Sequence, residues 1–176
     1  MKKLFVILLA AMLLMTACGG SETPTTTAAG DTKEAESKQD NGNKDGFIFT
    51  VNGVEVVMNA EAAPIIEKLG GNPTYFESES CAFHGLDKQY DYGSYVIYTY
   101  PKDDVDYILS VELKDDTVEA ENGLCIGSSK DDVLKAMGDP ADQTEKMVIY
   151  ERGKSTLQFI FTNDAVSSIQ YMAVTE

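Results

Sequence analysis

The sequence predicts an α+β domain built as two tandem repeats. Each repeat is a helix followed by an antiparallel three-stranded meander, with the helices on one face of the sheet and a β-hairpin in front. Three observations predict this. Ile126–Pro140, I-G-S-S-K-D-D-V-L-K-A-M-G-D-P, reads as a short capped helix with a hard stop. Asn59–Pro73, N-A-E-A-A-P-I-I-E-K-L-G-G-N-P, repeats that pattern more roughly. Further on, Leu113-Lys114-Asp115-Asp116-Thr117-Val118 aligns with Phe161-Thr162-Asn163-Asp164-Ala165-Val166, so the copies end alike. Repeat one is expected over about 47–121 and repeat two over about 122–176 of the chain. One such unit alone leaves its sheet half covered, so pairing two buries a common core.

The chain opens with Lys2 and Lys3, then the apolar run Leu4–Met15, which is too short to span a bilayer. Met15-Thr16-Ala17-Cys18 follows, with Gly19-Gly20 behind it. This resembles a bacterial lipobox, although Met15 stands where Leu is usual. The resemblance implies a signal peptide over residues 1–17, cleavage before Cys18 and a diacylglyceryl thioether on its sulfur. The lipid would hold the mature N-terminus on the extracytoplasmic face of a cell membrane. Residues 18–46 then form a tether: Ser21–Gly46 has no aromatic residue and too little apolar surface to offset its ordering entropy. Asn41-x-Asn43-x-Asp45-Gly46 mimics the start of a calcium loop, but the twelfth position is Asn52 rather than Glu. No metal or other cofactor is expected.

Phe47–Val51 and Val54–Met58 are β-rich runs joined by Asn52-Gly53, a pair suited to a two-residue type I′ turn. A helix from about Ala60 to Leu69 follows, with Asn59 as its cap and Pro64 confining it or marking its first turn. Gly71–Gly93 shows no regular pattern. Strands resume at Tyr95–Tyr100 and Tyr107–Leu113, where alternation turns Tyr107, Leu109, Val111 and Leu113 toward the helix. A short strand is expected near Val118–Ala120. In the second half, Ser128 or Ser129 caps the helix, Asp131 and Asp132 suit its first turn, and Gly138 and Pro140 end it. Strands follow at Lys146–Glu151, Ser155–Phe161 and Val166–Val174, with Leu157, Phe159 and Phe161 on one face.

The formal net charge is −15, which argues against a nucleic-acid partner. With Cys18 lipidated, Cys81 and Cys125 remain as an even pair in an oxidising location, so a disulfide is expected. Two free thiols or a metal pair are the alternatives. His84 is the single histidine, and no nucleophile elbow occurs, so no catalytic residue is assigned. Asp103, Asp104 and Asp106 read as a hydrated turn. Tyr90, Tyr92, Tyr95, Tyr98, Tyr100 and Tyr107 crowd one region. Tyrosines on an open sheet face are favoured contact residues, and Tyr95, Tyr98 and Tyr100 are the candidate partner-binding set. The competing reading is that they are core and cross-strand pairs.

Ser80-Cys81-Ala82-Phe83-x-Gly85-x-Asp87-Lys88 and Ile126-Gly127-Ser128 resemble hallmarks of repeat-built envelope lipoproteins of low-GC Gram-positive bacteria. Gly127-Ser128 through Val133 to Gly138-Asp139-Pro140 is similar to the helix-plus-meander pattern of β-lactamase inhibitory protein and of the SmpA/OmlA lipoproteins. The resemblance implies a non-catalytic module that binds a protein or peptide through its open sheet face. Inhibition of a secreted enzyme such as a β-lactamase is the alternative it suggests. A small envelope hydrolase is a third reading, disfavoured by the lone His84.

Overall fold

The computed structural model describes residues 45–175. The expected leader, Cys18 and most of the tether lie outside the described residues. Strands β1 (Ile48–Val51) and β2 (Val54–Val57) form the leading hairpin. Asn52 and Gly53 take φ of 51° and 77° between them, the left-handed pair that a type I′ turn requires. The hairpin remains a two-stranded sheet of its own. It is held by burial: Phe47, Phe49, Val56, Val57 and Met58 all enter the core. Phe49 packs against Tyr95 and Tyr171, with ring centroids 5.3 and 5.7 Å away.

Helix α1 (Ala62–Leu69) starts after Glu61 with no side-chain cap. Pro64 lies in its first turn, where the missing N–H has no intrahelical partner to lose. Asn59 is not the cap. It sits at φ 64°, and its Nδ2 donates to the carbonyls of Lys154 and Val174 at 3.2 and 3.4 Å. Four strands follow: β3 (Thr74–Glu79), β4 (Leu86–Asp91), β5 (Tyr95–Lys102) and β6 (Val105–Leu113). Then come α2 (Lys130–Met137) and four more: β7 (Asp142–Gln143), β8 (Met147–Arg152), β9 (Ser155–Thr162) and β10 (Ala165–Ala173). The expected start and stop of α2 form: Ser129 Oγ accepts from the Asp132 N–H at 3.1 Å, and Gly138 takes φ 80°.

These eight strands make one antiparallel sheet in the order β3-β4-β5-β6-β10-β9-β8-β7. The expected α+β architecture of two helix-plus-three-stranded-meander repeats is therefore wrong. Strand dominates, and the described residues contain only two α-helices, each eight residues long. The physical reason lies in the segments taken as irregular. Thr74–Glu79 and Leu86–Asp91 carry no apolar alternation, yet they pair residue for residue from Thr74–Asp91 to Glu79–Leu86. Val118–Ala120 forms no strand. Asp115 Oδ1 instead accepts from the Thr117 N–H at 2.9 Å and turns the chain.

The register explains which face is buried, because paired residues share a face. One row of partners runs Tyr95, Leu113, Ile169, Phe159, Val148, and the next runs Ile97, Val111, Tyr171, Leu157, Tyr150. All ten belong to the core, together with Ala62 and Ile65 of α1 and Val133 of α2. Helices and hairpin thus cover this one face. Burying each large side chain there contributes roughly 1.5–3 kcal/mol. Between the pairs Tyr98–Ser110 and Thr99–Ile108 the register shifts by one, so β6 carries a bulge at Leu109. The simple alternation expected along β6 breaks there: Ile108 is core, while Tyr107 and Leu109 are not.

Candidate functional site

The other face of the sheet carries the intervening residues. Phe76, Gln89, Tyr98, Ser110 and Met172 follow one another as cross-strand partners from β3 to β10. Neither helix nor the hairpin packs on this side. The residues line a groove of about 430 Å³ together with Asp87, Leu109, Glu112 and Gln170. Its apolar walls are Phe76, Tyr98, Leu109 and Met172, and the bulge at Leu109 turns that side chain into the lining. Phe76 is 60 % exposed on strand β3, the outer edge of the sheet. An exposed large aromatic beside a lined groove is what a contact surface offers.

The polar side of the groove is unevenly satisfied. Tyr98 donates to Glu112 Oε2 at 3.4 Å. Burial, and then the negative Glu112, push the Tyr98 hydroxyl up from its ordinary value. Lys88, the register partner of Thr99, points to the helix-covered face instead, where it is bound to Asp106 Oδ2 at 2.5 Å, which raises its affinity for the proton. Asp87 Oδ1 is shut off from solvent with no hydrogen-bond partner among the described residues; so is Thr99 Oγ1, but Thr99 pairs with the core residue Ile108 and lies on the covered face.

Of the three tyrosines expected to bind a partner, only Tyr98 lines this groove. Tyr95 is 6 % exposed in the core, stacked on Tyr92 at 4.9 Å, and burial pushes its hydroxyl up to about 12. Tyr100 is equally buried. Phe83 covers its ring at 4.7 Å, and its hydroxyl donates to Asn59 Oδ1 at 2.9 Å. Tyr95 and Tyr100 are thus the core and structural contacts that the competing reading allows.

The motif Ser80–Lys88 is the β3–β4 turn with the start of β4. Ser80 Oγ accepts from the Ala82 and Phe83 N–H groups at 3.3 and 3.1 Å, which curls the turn. Gly85, at φ 127°, lies so close to Pro101 that a Cβ there would stand 3.0 Å from its ring. The turn therefore folds onto the end of β5, and Asp87 emerges from it into the groove. Sequence reasoning missed Phe76 and Asp87 because it assigned no strands to this segment. The aromatic in T-Y-F-E-S-E was the available signal.

The expected Cys81–Cys125 disulfide is not formed; both thiols are free. Cys81 lies in the β3–β4 turn, at the end of β5 marked by Pro101. Cys125 lies at the other end. Two residues on, Gly127 donates to the carbonyl of Val166, which is the second residue of β10 and three residues from Ile169, the partner of Leu113, which in turn pairs with Tyr95. From Tyr95 to Pro101 the strand spans roughly 20 Å, whereas a disulfide needs Cα atoms about 6 Å apart. Cys125 is instead fixed through its N–H, which donates to Ser128 Oγ at 3.1 Å. His84 is exposed in the turn, and no group of three or more His, Cys, Asp or Glu side chains that could hold a metal ion occurs among the described residues. Asp103 and Asp104 form the two-residue turn between β5 and β6, at φ 50° and 63°. No family model matches this chain, and no curated protein or solved structure matches it either.

Proposed function

We propose that this chain is a lipid-anchored, extracytoplasmic, non-catalytic module that binds a protein or peptide through the uncovered face of its eight-stranded sheet. The observation that carries the reading is the groove itself. Aromatic, aliphatic and thioether walls converge there beside the Asp87 and Glu112 side chains and the amides of Gln89 and Gln170. Burying that wall against a partner removes apolar surface from water, and the polar groups fix the partner's register. The lipobox at Met15–Cys18 supports the anchor, and the polar segment after it supports a tether that presents the domain away from the membrane.

Photo-crosslinking tests the binding surface. With a photoreactive phenylalanine at position 76 or 98, the full chain should crosslink to a defined envelope partner. The same probe at Tyr75, which packs on Tyr90 off the groove, should not. Equal labelling from all three positions would sink the reading. Incorporation of labelled palmitate, lost on Cys18→Ala, tests the anchor.

A further inference from the structure

We propose that strand β3 pairs with β3 of a second copy of this chain, antiparallel and about a two-fold axis through Phe76, so that two sheets join into one. The strand is the outermost of its sheet, and all six of its residues are exposed. One edge of its backbone is already used. The Ser80 N–H donates to the Gly85 carbonyl at 3.0 Å, and the pairing from Thr74–Asp91 to Glu79–Leu86 runs without a shift. Backbone groups alternate between the two edges of an antiparallel strand, so Ser78, Phe76 and Thr74 bond toward β4. Tyr75, Glu77 and Glu79 therefore send N–H and C=O outward, where no strand of the described residues lies. Such an open ladder is a template for another strand.

The side chains of the edge select a second copy as that strand. Two identical strands paired antiparallel about a two-fold axis keep their faces, so a residue opposes itself or one an even number of places away. Centred on Glu77 or Glu79, the pairing sets that glutamate against its own copy. Centred on Ser78, it sets Glu77 against Glu79. Like charges directly opposite are destabilising, which disfavours all three. Centred on Tyr75 or Thr74, the overlap within the strand shrinks to Thr74–Phe76 or less. Centred on Phe76, the partners are Thr74 with Ser78, Tyr75 with Glu77, and Phe76 with Phe76. Each pair is compatible. The phenol of one copy meets the carboxylate of the other, the same contact that Tyr75 makes to Glu77 within its own strand. The two Phe76 rings, each 60 % exposed in the single chain, cover one another. Thr74 sets a hydroxyl opposite the Ser78 hydroxyl. Tyr75 and Glu77 are outward-bonding residues, so each of their two pairs can exchange both backbone hydrogen bonds. The far edge of the sheet limits the assembly to two. β7 has only Asp142 and Gln143, too little to carry a head-to-tail ladder along β3, whereas the β3–β3 contact closes on itself. A strand pair this short buries less than a standard interface, so the dimer is weak and depends on concentration. The negative charge of each copy opposes it, so salt strengthens it.

Disulfide trapping in the full chain reads the register, with Cys18→Ala, Cys81→Ser and Cys125→Ser removing the native thiols. Chains carrying Thr74→Cys are mixed with chains carrying Ser78→Cys and mildly oxidised. Positions 74 and 78 of different copies are directly opposite in the proposed pairing, with Cα atoms about 4.5 Å apart, within reach of a disulfide. Two copies of position 74, or two of position 78, are offset by about 13 Å along the strands. The mixture should therefore give a disulfide-linked dimer and neither variant alone should. Equal trapping in all three samples, or trapping in none, overturns the proposal; the second result covers an edge left free or taken by a different protein. Sedimentation of the parent chain should show a monomer–dimer equilibrium, which Tyr75→Glu weakens at least about tenfold by setting a carboxylate opposite Glu77 in both pairs. Tyr75→Lys, which sets an ammonium there, should retain the dimer. A dimer indifferent to Tyr75→Glu, or weakened equally by Tyr75→Lys, overturns β3 as its interface. A photo-crosslink to a second copy has twice this chain's mass, which separates this contact from capture of a different partner through the groove.

Discussion

The two halves of the sheet use the same order of elements to different ends. Both place four strands after an eight-residue helix, and they meet where β6 pairs with β10. The second half is trimmed. Its helix is capped by Ser129, its outer strand β7 has two residues, and Tyr150 closes over the helix end by donating to the Gly138 carbonyl at 3.2 Å. The first half is extended. Its helix has no side-chain cap, and its outer strand β3 has six residues, all exposed, with Phe76 beside the groove. The comparison teaches that the second half is shaped chiefly by stability. The first half carries more exposed surface, and it supplies most of the groove, which β10 completes with Gln170 and Met172.

Four measurements can break or sharpen this contrast. The largest effects belong to the shared core. Phe159→Ala should cost about 3–5 kcal/mol and Ile97→Ala about 2–5 kcal/mol. Because the core rows cross from one half to the other, each should lower a single calorimetric transition; two separate transitions would show that the halves fold independently. Next is the helix start. Ser129→Ala should cost about 1 kcal/mol, since the Asp132 N–H loses its acceptor, whereas Glu61→Ala at the uncapped helix should stay within about 0.5 kcal/mol. Equal losses at the two positions would contradict the asymmetry.

Smaller still is the effect at the edge. Phe76→Ala should change stability by no more than about 0.5 kcal/mol in either direction, as expected of an exposed side chain. A loss as large as that of a core residue would make Phe76 structural and withdraw it from the groove's function. The smallest effect is a pH dependence confined to the first half. The Gly93 N–H, at 2.8 Å, and then the Lys114 ammonium, at 3.0 Å, hold the Asp91 carboxyl below its ordinary 3.8. A depressed carboxylate stabilises the fold above its unfolded value and loses that contribution as the pH falls through its folded value. Acid titration of stability below 3.8 should therefore be shallower in Asp91→Asn than in the parent. An unchanged acid limb would show that this contact is not coupled to folding.

Much of the local structure was legible because it is written in residues with strong backbone preferences. Asn52-Gly53, Ser129, Gly138 and the alternation at Leu157, Phe159 and Phe161 all form as their chemistry demands. The helix before them was harder: Asn59 resembles a cap, but its side chain is taken by Lys154, Val174 and Tyr100, residues far away in the chain. β3 and β4 were invisible for a related reason. Strands without an apolar face are held by their ladder partners, and partners across a sheet leave no local period. The tyrosines were read as one set because they cluster in sequence. Burial then divided them, leaving Tyr98 alone among the three candidates in the groove.

What the sequence determined alone was the position of turns, the capped second helix and the apolar rows, since each depends on a residue and its near neighbours. The tertiary structure decided the strand order, the separation of Cys81 from Cys125 and which face is left uncovered by the helices and hairpin of the described residues. Those depend on which distant strands meet, and a bulge of one residue at Leu109 is enough to change what a neighbouring side chain faces.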